Sequence, residues 1–254
     1  MKVVSLKTHK ITQKDKDLFK ILDKYILSFK NNSVLVVTSK IVSIVEGRII
    51  LQKDVPEKDE LIRGNAQFYL DRTKSQYKVM LSINNNILVA SAGIDESNGN
   101  GYYILWPQDP QDVANKIREY LRKKFNIRNV GVVISDSTLV PLRWGTRGVS
   151  LAHSGFLALN NYIGTPDIFG KPLIMTTASV ADGLAIAAVL VMGEGKEQTP
   201  LAVIEDVPFV KFQPRNPTKK ELKDLRIEIR DDLYAPILTK AGWKKGGRSR
   251  KDML

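Results

Sequence analysis

Three apolar runs in this chain each lead into small residues and an acid, and that repetition limits the available folds more than any other feature. Residues 87–90 run into Ser91-Ala92-Gly93-Ile94-Asp95-Glu96-Ser97-Asn98-Gly99-Asn100-Gly101, residues 130–134 into Ser135-Asp136-Ser137-Thr138, and residues 184–192 into Gly193-Glu194-Gly195. Such an order reads as a buried element delivering an acidic turn to the rim of a sheet, with Asp95 and Asn98 directed into a cleft. Any one stretch is ordinary turn chemistry, because Asp, Asn and Ser bond their own backbone. Three together point to carboxylates gathered at one place. Hard divalent cations take oxygen ligands of this kind and usually arrive with substrate phosphates, so a metal–nucleotide site is the first functional expectation.

The chain is long enough to bury a core alone, as one large domain or two small ones. No apolar stretch reaches the length of a membrane span, and the Met1-Lys2-Val3-Val4 start lacks the order of a signal peptide, so a cytoplasmic location without a membrane partner is expected. The absence of cysteine excludes disulfides, thiolate metal sites and a cysteine nucleophile. His9 and His153 are the only histidines, which argues against a histidine-rich zinc site. Lys and Arg outnumber Asp and Glu, 39 to 27, and the formal charge of +12 favours anionic partners such as nucleotides, polyglutamates, acidic proteins or nucleic acid. Part of that charge is local: Lys240, Lys244, Lys245, Arg248, Arg250 and Lys251 surround Trp243 near the end of the chain. This tail reads either as an RNA- or ribosome-binding element or as a solvated, partly disordered end, and the solvated reading is favoured.

Taken in order, residues 2–6 read as a strand and residues 15–29 as an amphipathic helix through Leu18, Leu22, Tyr25, Ile26 and Phe29. Residues 34–37 form a buried strand, and a helix follows from Thr38-Ser39-Lys40 to Gly47. A helix start after a strand offers free N–H groups to an anion, to which Ser39 and Lys40 add a hydroxyl and a charge; neither the P-loop nor the dinucleotide fingerprint occurs. Residues 78–83 and 87–90 flank Asn84-Asn85-Asn86 as a hairpin that fixes Asp95. The pattern over residues 112–125 predicts a helix with Val113, Ile117, Tyr120 and Leu121 inside and Arg118, Arg122, Lys123 and Lys124 outside. The glycine-punctuated loop 141–148 carries Arg143 and Arg147, a candidate for holding a carboxylate or phosphate because guanidinium binds these bidentately; surface arginines in a turn explain it equally well. A strand over residues 149–152 and a short helix over residues 155–162 are expected next. Residues 184–192 are apolar all round, which predicts a core helix presenting Glu194 at its end. A strand over residues 201–204 precedes a proline-punctuated extension whose last apolar anchor is residues 233–238.

Several of these residues carry a resemblance. Val34-Leu35-Val36-Val37 with Glu46-Gly47-Arg48, Ala92-Gly93-Ile94-Asp95 with Ser97-Asn98, Asp136-Ser137, Ile163-Gly164 with Asp167 and Gly170, Val180-Ala181-Asp182, and Met192-Gly193-Glu194-Gly195 stand in an order that resembles the coenzyme F-420:L-glutamate ligase (gamma-glutamyl ligase) family. The segments Asn98-Gly99-Asn100-Gly101-Tyr102-Tyr103, Leu105-Trp106-Pro107 and Gln198-Thr199-Pro200-Leu201-Ala202-Val203 resemble a divergent bacterial branch labelled as folate-metabolism gamma-glutamate ligases. The resemblance implies an α+β fold with a mixed sheet core and two interleaved subdomains over residues 1–211, a C-terminal extension over residues 212–254, and an intertwined homodimer. It implies an amide-forming enzyme in which a substrate carboxylate takes the γ-phosphate of GTP, or of ATP, and L-glutamate displaces the resulting acyl phosphate. Asp95, Asp136, Ser137 and Glu194 are then the ligands of a magnesium or manganese ion, and Asn98, Ser39 and the loop Met192-Gly193-Glu194-Gly195 contact the nucleotide. Arg143 or Arg147 is left to hold the acceptor.

The chain also departs from that pattern. Lys7-Thr8-His9-Lys10-Ile11 stands where the family has a Gly-Leu-Pro turn, Ile44 where it has a phosphate-binding lysine, Thr138-Leu139-Val140 in place of an Asn-Gly-Arg-like stretch, and Gly183 in place of a common Glu. Lys40 lies one helical turn before Ile44. Ile44 and Gly183 leave a nucleotide- or partner-binding relative without turnover as one alternative to the ligase, and the net charge and basic tail leave an RNA- or ribosome-associated module, whose binding would fall steeply with salt, as another.

Overall fold

The computed structural model of the chain describes residues 1–248. In chain order its elements are β1 (Lys2–Leu6), α1 (Leu18–Tyr25), β2 (Ser33–Thr38), α2 (Ser39–Val45), β3 (Ile49–Leu51), α3 (Lys58–Asn65), β4 (Phe68–Tyr69), β5 (Leu81–Asn84), β6 (Ile87–Ala90), β7 (Tyr102–Ile104) and α4 (Pro110–Phe125). There follow β8 (Val130–Leu139), β9 (Thr146–Ser154), β10 (Leu159–Asn161), β11 (Thr177–Ser179), α5 (Val180–Met192), β12 (Leu201–Glu205), α6 (Lys219–Asp224), α7 (Ala235–Leu238) and β13 (Lys244–Lys245). The fold is mixed α and β.

The main sheet has the order β1-β12-β2-β8-β9, and only the β2–β8 pair is parallel. The apolar run of β2 is continuous because this strand is covered on both faces. Leu35 and Val37 point into a core with Leu22 and Ile26 beside α1 and Ala114, Ile117 and Leu121 of α4. Val34 and Val36 point the other way, against Ala181, Leu184, Ala185 and Ala188 of α5. Small residues let α5 lie close to the sheet: a Cβ at Gly148 would stand 2.4 Å from the carbonyl oxygen of Ala185. Residues between β2 and β8 build a β3–β7 pair and, joined by β13 from the extension, a second sheet, β13-β4-β5-β6, around a core of Ile62, Ala66, Met80, Ala92, Ile94 and Leu105.

Several expectations are corrected. The first helix stops at Tyr25, although Ile26 and Phe29 remain buried. Asp136 does not sit in a turn after a strand; β8 runs on to Leu139, and the register shift between Ile134 and Ser135 re-aims its second half. Residues 155–162 form no helix. Gly155 is left-handed (φ +82°), with no room for a Cβ beside Val130, and residues 159–161 pair with β11. Arg118 is not on the wet face of α4 but 2% exposed, its Nη1 donating to Asn216 Oδ1 at 2.9 Å. The α5 helix is buried on one side only, and Leu190 is 82% exposed.

The extension likewise differs from expectation. Leu233, Tyr234 and Ile237 are exposed and anchor nothing apolar. The segment is held by polar contacts instead: a capping box between Thr218 and Glu221, Asn86 Nδ2 donating to the Ile227 carbonyl (3.1 Å), the ion pair of Lys244 with Asp71 (2.6 Å), and β13 on β4. The basic tail therefore carries a two-residue strand, Lys244–Lys245, and is bonded to the second sheet up to Arg248, and its last basic residues, Arg250 and Lys251, lie outside the described residues. No helix among the described residues is long and apolar enough to cross a membrane.

His153 ends this sheet edge, buried with its ring edge-on to Phe156 (centroids 5.3 Å apart). Burial pushes its imidazole down to about 4, with Glu221 pulling weakly the other way. Between the ordinary His value of about 6.5 and 4, the unfolded chain binds the proton and the folded chain does not. Stability is thus constant in this respect above pH 6.5 and falls as pH drops towards 4, by at most about 3 kcal/mol. Thermal melts at pH 7.5 and 4.5 are expected to separate clearly for the wild type and to converge for His153→Gln; equal separation in both would show that other groups carry the acid sensitivity.

Candidate active site

The acidic turn begins with strain. Ser91, Ala92 and Gly93 all have positive φ (53°, 55° and 76°), and for the first two this costs on the order of 1–2 kcal/mol each. Two buried polar side chains of β5 hold it. Ser82 Oγ accepts the Ala92 N–H (2.7 Å) and donates to the Val89 carbonyl (2.7 Å), while Asn84 Nδ2 donates to the Ala92 carbonyl (2.8 Å). The turn then pairs Asp95 with Ile104 across two backbone bonds. The hairpin before it turns on Asn85 and Asn86, both left-handed, as the Asn run predicts.

From that position the Asp95 side chain meets Lys40 and Ser97. Its Oδ2 lies 2.7 Å from Lys40 Nζ, and the same ammonium donates to the Ser97 carbonyl (3.0 Å) and Ser97 Oγ (3.2 Å). Ser97 in turn gives its N–H to Asp95 Oδ1 (2.7 Å) and its hydroxyl to Oδ2 (2.9 Å). Burial alone would raise the Asp95 carboxyl; the Lys40 ammonium and Ser97 outweigh it and hold the group below the usual carboxylate range. Asp136 is within electrostatic reach on β8 and has the opposite fate. Burial, with the Asp95 charge beside it, pushes Asp136 up to about 6 against the Trp106 indole N–H, which donates to its Oδ2. Two carboxylates with separated affinities for a proton mark a site rather than a surface.

Glu194 joins from the loop after α5. Its Oε1 accepts the Ser137 hydroxyl at 2.6 Å, and Asn98 Nδ2 donates to the Gly195 carbonyl at 2.9 Å. The loop is shaped by Gly193 (φ +76°), where a Cβ would strike the Glu197 carboxylate, and by Glu197 Oε2 accepting the Gly195 N–H (2.8 Å). All three acidic stretches thus converge, with Lys40, Asp95, Asn98, Asp136, Ser137, Glu194 and Gly195 in one connected set. Ser39 is buried at the start of α2, a helix of seven residues, and Lys40 is the residue that reaches the cluster. Met192 is buried in the core beneath the loop. Arg143 and Arg147 are exposed and have no hydrogen-bond or ion-pair partner among the described residues.

Among the described residues no three acidic or histidine side chains are close enough to hold a metal ion by themselves. The donor set still suits a hard cation, since every ligand atom is oxygen and the Lys40 ammonium already stands as a cation on it. Magnesium-type ions are typically bound through one or two carboxylates, with water and substrate phosphate completing the shell.

A family model described as F420-0:Gamma-glutamyl ligase matches residues 5–206. The chain belongs to that family. Among its relatives, coenzyme F420:L-glutamate ligase of Methanocaldococcus jannaschii is 32% identical over 212 residues, covering 77% of this chain and 85% of its own length. The protein of the same description from Methanococcus maripaludis strain C7 is 30% identical over 223 residues, covering 82% and 89%. The gamma-glutamyl ligase model therefore spans every residue of the acidic cluster and stops before the extension.

Other motifs of the resemblance turn out to be braces. Arg48 Nε donates to the Trp106 carbonyl (3.3 Å) and Glu46 Oε2 accepts the Gln108 N–H (3.1 Å), which hold the segment carrying Trp106. Ser179 caps α5 and donates its hydroxyl to Asp182 Oδ2 (3.0 Å), while Asp182 Oδ1 accepts the Ser150 N–H of β9 (2.9 Å). Trp106 itself was not singled out as a site residue by sequence. The signal was available, because a buried indole N–H needs an acceptor.

The indole contact is testable. Trp106→Phe removes the donor that favours the charged carboxylate, so the Asp136 value is expected to rise above about 6. Carbon-13 carboxyl titration reads this directly, and an unchanged value would show that the indole bond does not tune the group. Gly93→Ala is expected to cost about 2–4 kcal/mol in urea unfolding, because its Cβ would lie 2.2 Å from the Trp106 ring on a backbone with φ of +76°.

Proposed function

We propose that this chain is a nucleotide-dependent ligase that joins an amino acid, glutamate by the names of its relatives, to a carboxylate acceptor through an acyl phosphate. The observation that carries the reading is that Asp95 with Lys40, Asp136, and Ser137 with Glu194 come from separate elements into one polar cluster, inside the region matched by the family. A carboxylate oxygen of the acceptor attacks the γ-phosphorus of GTP or ATP, the γ-P–O bond breaks, and the nucleoside diphosphate leaves. The amine nitrogen of glutamate then attacks the acyl carbon and loses a proton, while the C–O bond to phosphate breaks and phosphate leaves.

A bound magnesium or manganese ion supplies charge neutralisation at the triphosphate, the main need of phosphoryl transfer. One or two of the carboxylates Asp95, Asp136 and Glu194, with the Ser137 hydroxyl, would hold it, and water and phosphate oxygens would complete the shell. Lys40 is the nearest fixed positive charge for the phosphates. Asn98 and the backbone of the loop 192–195 position the nucleotide beside it, with Ser39 at the base. Arg143 in the β8–β9 loop and Arg147 at the start of β9, with no side-chain partner among the described residues, offer bidentate donors to the acceptor's anionic group. The reaction is soluble chemistry in a cytoplasmic setting.

The same reading includes a homodimer. The arm between β10 and β11 leaves Ile168 92% and Phe169 88% exposed, with Ile174 and Met175 beside them, and α5 adds Leu190 and Val191. Exposed apolar surface concentrated this way favours a contact with another chain. Sedimentation equilibrium is expected to give twice the mass of 28.5 kDa, and Phe169→Glu to shift it towards one chain.

A reading without turnover is favoured by one observation: Ile44 is buried and apolar where the family pattern has a lysine. Calorimetric titration of GTP and ATP with Mg²⁺ or Mn²⁺ separates the possibilities. The wild type is expected to bind one nucleotide in a metal-dependent way and Asp136→Asn to lose that binding by tenfold or more. Phosphate release that depends on both acceptor and glutamate establishes the ligase; nucleotide binding without any such release leaves the binding-only relative, and unchanged binding in Asp136→Asn removes the site assignment.

A further inference from the structure

Lys40 holds Asp95 in a manner that conflicts with a cation on the same oxygen. Its ammonium has three protons, and three oxygens receive them: Asp95 Oδ2, the Ser97 carbonyl and Ser97 Oγ. Both oxygens of Asp95 are thereby engaged, Oδ1 by the Ser97 N–H and Oδ2 by Lys40 and the Ser97 hydroxyl. A magnesium-type ion binds a carboxylate oxygen at about 2.1 Å. An ammonium 2.7 Å from that oxygen would then face a double positive charge at close range in a half-buried setting, where repulsion is poorly screened. The two cations exclude each other at Oδ2.

Lysine is suited to leave. Its charge rides on a flexible four-carbon stem, and its best alternative partner is a phosphate oxygen, with which it makes a charge-assisted bond. A bare ion that reaches Asp95 Oδ2 must displace Lys40 from its one charged acceptor and leave the ammonium only the two Ser97 oxygens. An ion that arrives on a triphosphate brings the replacement acceptor with it. The lysine therefore disfavours the first event and permits the second.

Resting on the ligase reading of this cleft, we propose that Lys40 is an internal counter-ion that keeps the bare divalent cation off Asp95 and yields only to the cation–nucleotide complex, so that nucleotide and metal enter together. In this chain the lysine also meets a need left open by Ile44, since it is the one ammonium bonded to the cluster among the described residues. Its place on the first turn of α2 sets it directly after the parallel strand pair that carries Asp136.

The test is Mn²⁺ binding followed by electron paramagnetic resonance of the free ion, with and without GTP or ATP, for the wild type, Lys40→Met and Lys40→Arg. Thermal melts establish that the variants are folded. In the absence of nucleotide, Lys40→Met is expected to bind Mn²⁺ about tenfold or more tightly than the wild type, the weight of a charge-assisted hydrogen bond, while Lys40→Arg stays near the wild type. With nucleotide the order reverses, and Lys40→Met binds the complex more weakly. If Lys40→Met and the wild type bind the bare ion equally while the wild type takes up the Mn²⁺–nucleotide complex, the counter-ion role is overturned and the ligase site stands. If the wild type binds neither the ion nor its nucleotide complex, the site reading fails and this inference fails with it.

Discussion

The parallel pairing of β2 with β8 is the constraint on which the rest of the molecule depends. Two parallel neighbours need a long connection between them, and here residues 39–129 make it. That excursion contains α2, the second sheet, the strained turn, Trp106 and α4. Its two ends are tied by register, since Thr38 lies opposite Ser135. Lys40 begins the excursion two residues beyond Thr38, and Asp136 follows Ser135 by one, so a lysine and a carboxylate distant in sequence are set at the same edge of the sheet. In open sheets of this kind ligands bind outside the carboxyl ends of parallel strands, where connections diverge. The antiparallel neighbour β12 begins at this edge, opposite Val37, so the loop that enters it from α5 brings Glu194 to the same place.

At this edge the chemistry is one of unequal carboxylates. Asp95 and Asp136 feel each other's charge, yet their surroundings differ: Asp95 has an ammonium and a serine amide, while Asp136 has an indole N–H in a drier position. A single cation shared between them would relieve both, because it offsets the burial and the Asp95 charge that raise one and replaces the lysine that satisfies the other. The strained turn is what keeps Asp95 at this distance. Without Ser82 and Asn84 holding Ala92, relaxation of Ser91 and Ala92 to negative φ would redirect the chain before Asp95 is reached.

Much of this was legible in sequence where local pattern and burial agree. The run Val34-Leu35-Val36-Val37 reads as a buried strand and the Asn run as a hairpin turn, because each follows from residue type and period alone; that the acids after three apolar runs meet depends on the β2–β8 crossover, which no local pattern reports. The failures are tertiary. Arg118 carries the spacing of an exposed helical residue, but Asn216, far along the chain, folds over it and supplies a partner. Residues 155–162 are composed like a helix, yet Gly155 must be left-handed to pass Val130. The apolar α5 reads as wholly buried because periodicity cannot say whether the covering surface belongs to the same chain. Trp106 escaped notice because its importance lies in one N–H, which no hydrophobic pattern reports.

The extension shows how a segment beyond the family-matched region is tied to the strained turn. It leaves the main sheet beside α4, where Asn216 joins Arg118, Ser154 and Glu119. It returns at the second sheet, where β13 pairs with β4 and the backbone of Gly246 and Gly247 bonds to Gln67 and Arg63. There Arg248 Nη1 donates to Asn84 Oδ1 at 3.0 Å, and the amide of that same Asn84 holds the Ala92 carbonyl. Asn84 is buried, so orienting its carbonyl oxygen towards the guanidinium fixes its amide towards the turn. A hydrogen-bond chain thus runs from Arg248 to the backbone that aims Asp95. The extension stands outside the region that defines the family, yet it fixes the orientation of an asparagine on which the strained turn depends.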